Sequence, residues 1–507
     1  MTDVPREPSP WSHREPPLPD AEALARLGAR VLEPAEALHL TGPLPRRTAY
    51  VAHRLLVRAD DADATLLLLR EAAEPLGWAV DLDQRPAPWP ASVVRLTLTA
   101  RENATSAPDA WVLLQRARAT GTPTGVALDH VMVPSLPFTD SSPVDPFLPF
   151  TDSSPVAAGY GQAGQGGLEP VALLIDPPPP GRTARRSPKG ARPPVVAIVD
   201  TGCFAEHPWL TGAVRCAVPV RGAVPGLADP ADDPEYHPSQ RGLINGLRDR
   251  YSGHGTFIAG VIRQVCPEAS ILSWRVVPSD GPVPESELIE VLDAMATLVE
   301  DHLAGAKEGE PIDVVSLSLG YYPEVDPDSV AYDLAITTAL ERLRAAGVLV
   351  VCAAGNDATT RPRMPAALST MAASIPNLPS LLSVGALNPD RATDALFTNA
   401  GPWVSDHRVG ASVVSTLPPF DTAEQAAVAT TFQGRRRRGP DAGCFTVPGA
   451  KNPEGGFGVW SGTSFAAPVL AAEIARHLGA AGLPVSDTAG DRLDRAADAL
   501  KHVTGRG

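Results

Sequence analysis

The sequence predicts an α/β protein: a parallel sheet flanked by helices, with a small N-terminal α+β unit ahead of it. Three observations lead there. Beyond residue 190, near-continuous apolar runs at 195–199, 271–277, 314–319, 348–354 and 381–384 alternate with helix-like stretches at 285–303 and 329–346. Strands buried on both faces read this way, and the helices between them supply the cover. Residues 50–133 instead mix short apolar runs, period-two alternation and two short amphipathic stretches. Finally, 55 prolines and 43 glycines in 507 residues require long irregular segments between folded units.

Taken in order, residues 1–45 are rich in proline and charge and predict a flexible leader with one short helix over 20–32 and little core. Within 46–133 there follow an apolar run at 50–57, a helix over 63–76 with Leu66, Leu69 and Ala72 on one face, and a run at 78–82. Alternating Val94, Leu96 and Leu98, a helix over 109–117 and a run at 126–133 complete the unit. The order βαββαβ is that of a ferredoxin-like domain. Residues 134–193 form a Pro/Gly/Ser-rich linker in which LPFTDSSPV occurs twice, at 136–144 and 148–156. Slippage in a tolerated spacer and a dedicated recognition or cleavage sequence both account for the duplication. Residues 194–480 carry the large sheet, and 481–507 predict a C-terminal helix and tail.

The formal net charge is -15, and lysine occurs only at Lys189, Lys307, Lys451 and Lys501, so the arginines reflect a GC-rich bacterial composition rather than a nucleic-acid surface. No run of about 18 apolar residues is present and the first thirty residues are broken by proline and charge, which predicts no membrane span and no signal peptide. Five scattered cysteines without a C-x-x-C pair predict neither a zinc site nor a disulfide framework, and fit a reducing cytoplasm.

Four motifs carry chemistry. VVAIVDTG sets Asp200 at the carboxyl end of a buried strand, where open α/β sheets gather functional groups; a turn or capping aspartate is the plain alternative. SGHGTFIAGVI puts His254 between glycines at the start of an apolar helix, an unhindered imidazole suited to proton transfer. In SGTSFAAPVLAAEIA, Ser464 opens a helix; the residue type suits an N-cap, while Gly462 leaves room for a substrate backbone and the Ser464 amide faces a developing oxyanion. In VLVVCAAGND, Asn356 follows a buried strand through Gly355, as a turn residue or as a second oxyanion donor.

Together, in the order Asp, His, Asn, Ser, these motifs resemble the subtilisin-like serine peptidases over roughly residues 194–479. The resemblance implies a subtilisin-like fold, with Asp200 orienting the imidazole, His254 as general base then acid, and Ser464 as nucleophile. It makes Asn356 and the Ser464 amide the oxyanion hole. Ser318, Leu319 and Gly320 match the strand that pairs with substrate, residues 279–285, with Gly281, match the opposite edge, and Gly355 joins the pocket wall. The pocket base falls within 357–365, where the alignment is loose. Trp209 stands where the family often has a calcium-binding aspartate, and the loop that interrupts the helix after the catalytic histidine is missing, so no metal and no cofactor are expected. Two insertions, an acidic loop at 229–235 and a segment at 420–456 with Arg435 to Arg438, read as solvated surface, or alternatively as accessory metal or partner sites. Cys203 reads as a buried, inert thiol.

The expectation is a serine endopeptidase acting on peptide or protein substrates, with no nucleic-acid or membrane partner, restrained in cis by its N-terminal domain and cut by itself between Val133 and Ala191. A specialised processing or defence peptidase with a sensor domain is the rival within enzymes. An inactive peptide-binding pseudo-enzyme is the rival outside them.

Overall fold

The computed structural model describes residues 15–83, 87–121, 123, 125–135, 169–171, 190–238, 249–325, 335–371, 378–419, 429–430, 436–437 and 456–505. The duplicated nonapeptide, the start of the 329–346 helix and most of the 420–456 insertion lie outside them.

In the N-terminal part, β1 (Ala29–Leu32), β2 (Thr48–Arg58), β3 (Trp78–Asp83), β4 (Val93–Ala100) and β5 (Val126–Pro134) surround helices Ala62–Ala73 and Ala110–Thr120. The strands lie in the order β5-β2-β4-β3, antiparallel throughout, as two interleaved βαβ halves give. Period-two alternation divides the sheet. Leu55, Val57, Leu96, Leu98 and Leu128 pack with Leu66, Leu69, Trp111 and Leu114 of the two helices. Leu56, Val93, Ala127 and Met132 point the other way, into a core shared with Leu288, Ile289, Leu292 and Met295 of helix Glu285–Leu303.

The leader is more structured than its proline content suggested. Its helix covers only Ala21–Arg26, capped by Asp20, and the chain then enters β1, which pairs with the first half of β2. Leu24 packs with Ala49 and Val131, and Leu32 joins the N-terminal core. Trp111 Nε1 donates to Leu38 O at 2.8 Å, fastening the leader onto the second helix.

After β6 (Glu169–Val171) comes the larger part: β7 (Val195–Asp200), β8 (Val214–Cys216), β9 (Ser270–Arg275), β10 (Val283–Pro284), β11 (Val314–Leu317), β12 (Leu319–Gly320), β13 (Leu349–Ala353), β14 (Leu382–Leu387) and β15 (Asp406–Val409). Seven of them form a parallel sheet in the order β15-β14-β13-β11-β7-β9-β8. Helix Glu285–Leu303 contributes to the core on one face, with Val315 and Val350. Helices His254–Val265 and Thr463–Ala481 contribute to the core on the other, with Val196, Ile198 and Val351. This is a subtilisin-like α/β fold. A small sheet of β16 (Val413–Leu417), β19 (Gly456–Trp460) and β6 stands beside it, and β17 (Ala429–Thr430) pairs with β18 (Arg436–Arg437).

The two parts meet through β5. After leaving β2 it pairs antiparallel with β10 at Val131 and Met132, then with β12 at Val133 and Pro134. Just before that, the buried Asp129 accepts from Ser286 N at 2.9 Å and from Ser286 Oγ at 2.8 Å, at the start of helix Glu285–Leu303. Pro284 occupies that helix's N-cap without a side-chain acceptor, so the neighbouring strand supplies the negative group its open N–H ends attract.

Candidate active site

Asp200 ends β7 and His254 begins its helix. Gly255 lets the two approach, because a Cβ there would lie 2.0 Å from Gly202 O in the loop after Asp200. His254 Nδ1 lies 2.7 Å from Asp200 Oδ1, and both side chains are buried. Asp200 Oδ1 also accepts from Thr201 N at 2.8 Å, which holds the carboxylate in place. The other imidazole nitrogen, Nε2, is buried with no hydrogen-bond partner among the described residues. With Nδ1 bonded to a carboxylate, Nε2 is the atom free to take up a proton.

Ser464 stands in the first turn of its helix. Its Oγ donates to Ser135 O at 2.7 Å and lies 3.4 Å from Ser318 O, rather than bonding His254 Nε2. Ser318 Oγ donates to Ser464 O at 3.1 Å. Asn356 Oδ1 accepts from Thr463 N at 2.8 Å, which fixes the orientation of the amide and leaves Nδ2 as a buried donor with no partner among the described residues. Gly462 faces the same niche: a Cβ on it would lie 2.9 Å from Ser135 O and 3.4 Å from Asn356 Nδ2. A side chain there would fill the space in which the carbonyl and the amide meet.

Ser135, the residue after β5, occupies this site. Its N–H donates to Ser318 O at 2.8 Å, extending the ladder in which Val133 opposes Gly320 and Pro134 opposes Leu319. Ser318, Leu319 and Gly320 thus line the segment that ends at Ser464. Gly281 forms a turn two residues before β10 at φ 99°, where a Cβ would meet the Tyr251 ring at 2.1 Å. Gly355 takes φ 106° and donates its N–H to Thr463 Oγ1 at 3.1 Å.

Two residues at the site were not legible in the sequence. The acidic loop is only partly solvated, because Glu235 turns inward and is buried. Its oxygens accept from Thr201 Oγ1 and Thr256 Oγ1, both at 2.5 Å, tying the residue after Asp200 to the helix of His254. Burial raises its pKa to about 8, against the opposing effect of the two hydroxyls. The second is Arg363, whose guanidinium lies against Ser135. At the place of the expected calcium ligand, Trp209 packs edge-on against Phe457 with ring centroids 4.8 Å apart. Cys203 is buried, and burial holds its thiol well above the usual range.

A carboxylate-bound imidazole, a serine hydroxyl against a carbonyl and a side-chain amide thus meet in one cleft. Residues 191–483 match the model of the subtilase family, peptidase S8, and the chain belongs to that family. It is 28% identical over 233 residues to an intracellular serine protease of Paenibacillus polymyxa, a match covering 44% of this chain and 58% of that protein. It is also 28% identical over 237 residues to the major intracellular serine protease of Bacillus subtilis (strain 168), covering 44% and 60%. The match thus spans little more than half the length of these relatives. Fervidolysin from Fervidobacterium pennivorans superposes with a TM-score of 0.44 and 17% identity over 87% of this chain and 56% of that one. Among the described residues, no helix is long and apolar enough to cross a membrane.

Proposed function

We propose that the chain is a serine endopeptidase held in check by its own N-terminal unit. Ser464 Oγ attacks the carbonyl carbon of the bound residue while its proton passes to His254 Nε2, with Asp200 keeping the imidazole oriented. The oxyanion takes hydrogen bonds from Asn356 Nδ2 and the Ser464 N–H. As the carbon–nitrogen bond breaks, His254 returns the proton to the leaving amine, and water then releases the acyl group by the same steps in reverse. Substrates bind as an extended strand between β10 and β12.

The observation that carries this reading is the Ser135 carbonyl, 2.7 Å from Ser464 Oγ, on a strand bonded to Ser318. On this reading the expected self-cleavage falls at the bond after that carbonyl, which joins Ser135 to Leu136. Once cut, residues up to Ser135 remain in the cleft as a product-like inhibitor. The five cysteines and the intracellular relatives favour action in a bacterial cytoplasm. A fluorophosphonate probe tests the reaction. The label should map to Ser464 and disappear in Ser464→Ala and His254→Ala, whereas a protein that takes up no label even with its N-terminal unit displaced from the cleft is not a serine hydrolase.

A further inference from the structure

We infer that Arg363 makes the primary specificity pocket select an acidic residue, aspartate foremost, on the N-terminal side of the bond cut. The inference rests on the reading of the cleft given above, in which Ser135 precedes that bond and its side chain occupies this pocket.

Arg363 is 2% exposed. Its Nη1 donates to Ser135 Oγ, and its Nη2 donates to Val133 O at 2.6 Å and Gly320 O at 3.2 Å. Among the described residues, Nε is buried without a partner. Every acceptor it meets is therefore neutral, and among the described residues it has no carboxylate within ion-pair distance. Three other buried arginines do: Arg95 reaches Glu290 at 2.8 Å, Arg361 reaches Glu15 at 2.9 Å and Arg492 reaches Asp313 at 3.5 Å, whereas Arg275, away from the pocket, bonds the carbonyls of Leu227 and Asp229.

The guanidinium is also held in place. Met364, next in sequence, exchanges two backbone hydrogen bonds with Tyr321, of 2.8 and 2.9 Å. The Arg363 stem runs beside Gly355, where a Cβ would come within 2.7 Å of Cδ, and beside Gly320, where it would come within 3.3 Å of Cζ. The two glycines that frame the pocket leave space that the arginine fills.

A buried, unpaired charge is costly, and a carboxylate brought by the substrate removes that cost while forming a charge-assisted hydrogen bond in a dry site. Serine gives only a neutral bond. Leucine or phenylalanine strips water from Nη1 and returns nothing, and lysine adds a like charge. A cavity of about 40 Å³ between the N-terminal leader and the cleft has Ser135, Gly320, Asn356 and Arg363 among its walls. Asp357, also in its wall, already accepts from Tyr322 Oη at 2.5 Å.

The test uses internally quenched peptides with the sequence of residues 130–139, in which the position of Ser135 carries Ser, Asp, Glu, Asn, Leu, Phe or Lys. The full-length protein should cut the Asp peptide with kcat/KM on the order of a hundredfold above the Leu peptide, because a site built around buried polar groups penalises an occupant that leaves them unpaired. Arg363→Met should abolish or reverse that ratio, and Arg363→Lys should keep its sign, which covers the case that the Met variant does not fold. In the intact chain, Ser135→Asp should release the N-terminal fragment faster than Ser135→Leu. Equal or better cleavage after Leu or Phe by a protein that labels with fluorophosphonate overturns this inference alone. Neither cleavage nor labelling once the N-terminal unit has been displaced from the cleft overturns the peptidase reading, and this inference with it.

Discussion

Raising the pH through about 9 should loosen the N-terminal unit from the cleft, because the strand that fills the cleft carries a buried histidine. His130 on β5 has Nδ1 3.1 Å from Glu285 Oε2 and Nε2 2.8 Å from Glu324 Oε2, and its ring stacks on Tyr321 at 4.1 Å. Tyr321 in turn donates its hydroxyl to Glu285. Burial alone would lower the His130 pKa, but Glu324 and Glu285 outweigh it and raise the value from 6.5 to about 9. Burial also pushes Glu285 up, against the opposing pull of His130. A raised pKa contributes stability that is complete below 6.5 and is lost as the pH climbs through about 9. The shift corresponds to about 3 kcal/mol at about 1.4 kcal/mol per tenfold, and to a docking constant on the order of a hundredfold weaker at pH 10 than at pH 7. The assay is urea unfolding of the full-length Ser464→Ala protein, with and without His130→Gln, at pH 7 and pH 10. The parent should lose about 2–3 kcal/mol more than the His130→Gln protein across that interval. The comparison cancels Glu235, which titrates in the same range in both. Parallel pH curves would refute the reasoning.

Three further outcomes are expected. Asn356→Ala should lower kcat on the order of a hundredfold with little change in KM, the general magnitude for removing one oxyanion donor from a subtilisin; unchanged turnover would remove Asn356 from the hole. Glu235→Gln should melt at nearly the wild-type temperature at pH 5 and above it at pH 9.5, since a carboxyl raised from 4.5 to about 8 costs the fold stability progressively between those values and by the full amount above them; a wild type that gains on the variant as pH rises contradicts this. EDTA should leave the melting temperature in place, because Trp209 stands at the calcium position. A fall of many degrees would direct attention to His477, Asp498 and His502, whose ligand atoms lie within 4.8 Å of one another.

How much of this was legible depended on where each residue's partners lie. The strands at 195–199 and 348–354 and the helix at 285–303 announced themselves because buried elements carry their pattern in consecutive residues. Asp200, His254 and Ser464 stood out because glycines beside them mark close approach, a constraint written next to the functional residue. Leu24 and Leu32 were passed over as part of a loose leader, because two apolar residues among prolines gain meaning only from Ala49, Val131 and the N-terminal core. Glu235 looked solvated in an acidic run. What draws it inward is the pair of hydroxyls on Thr201 and Thr256, distant in sequence and visible only once the loop folds across β7. Arg363 was hidden for the same reason, since its role is set by Ser135, 228 positions away.

The central claim is that Ser464 acts on a carbonyl held where that of Ser135 lies. Mass spectrometry of the purified full-length protein and of its Ser464→Ala variant tests it most directly. The wild type should yield an N-terminal fragment ending at Ser135 and a partner beginning at Leu136, and Ser464→Ala should stay whole. Cleavage at the same bond in Ser464→Ala, or a wild type cut only at bonds remote from Ser135, would contradict it.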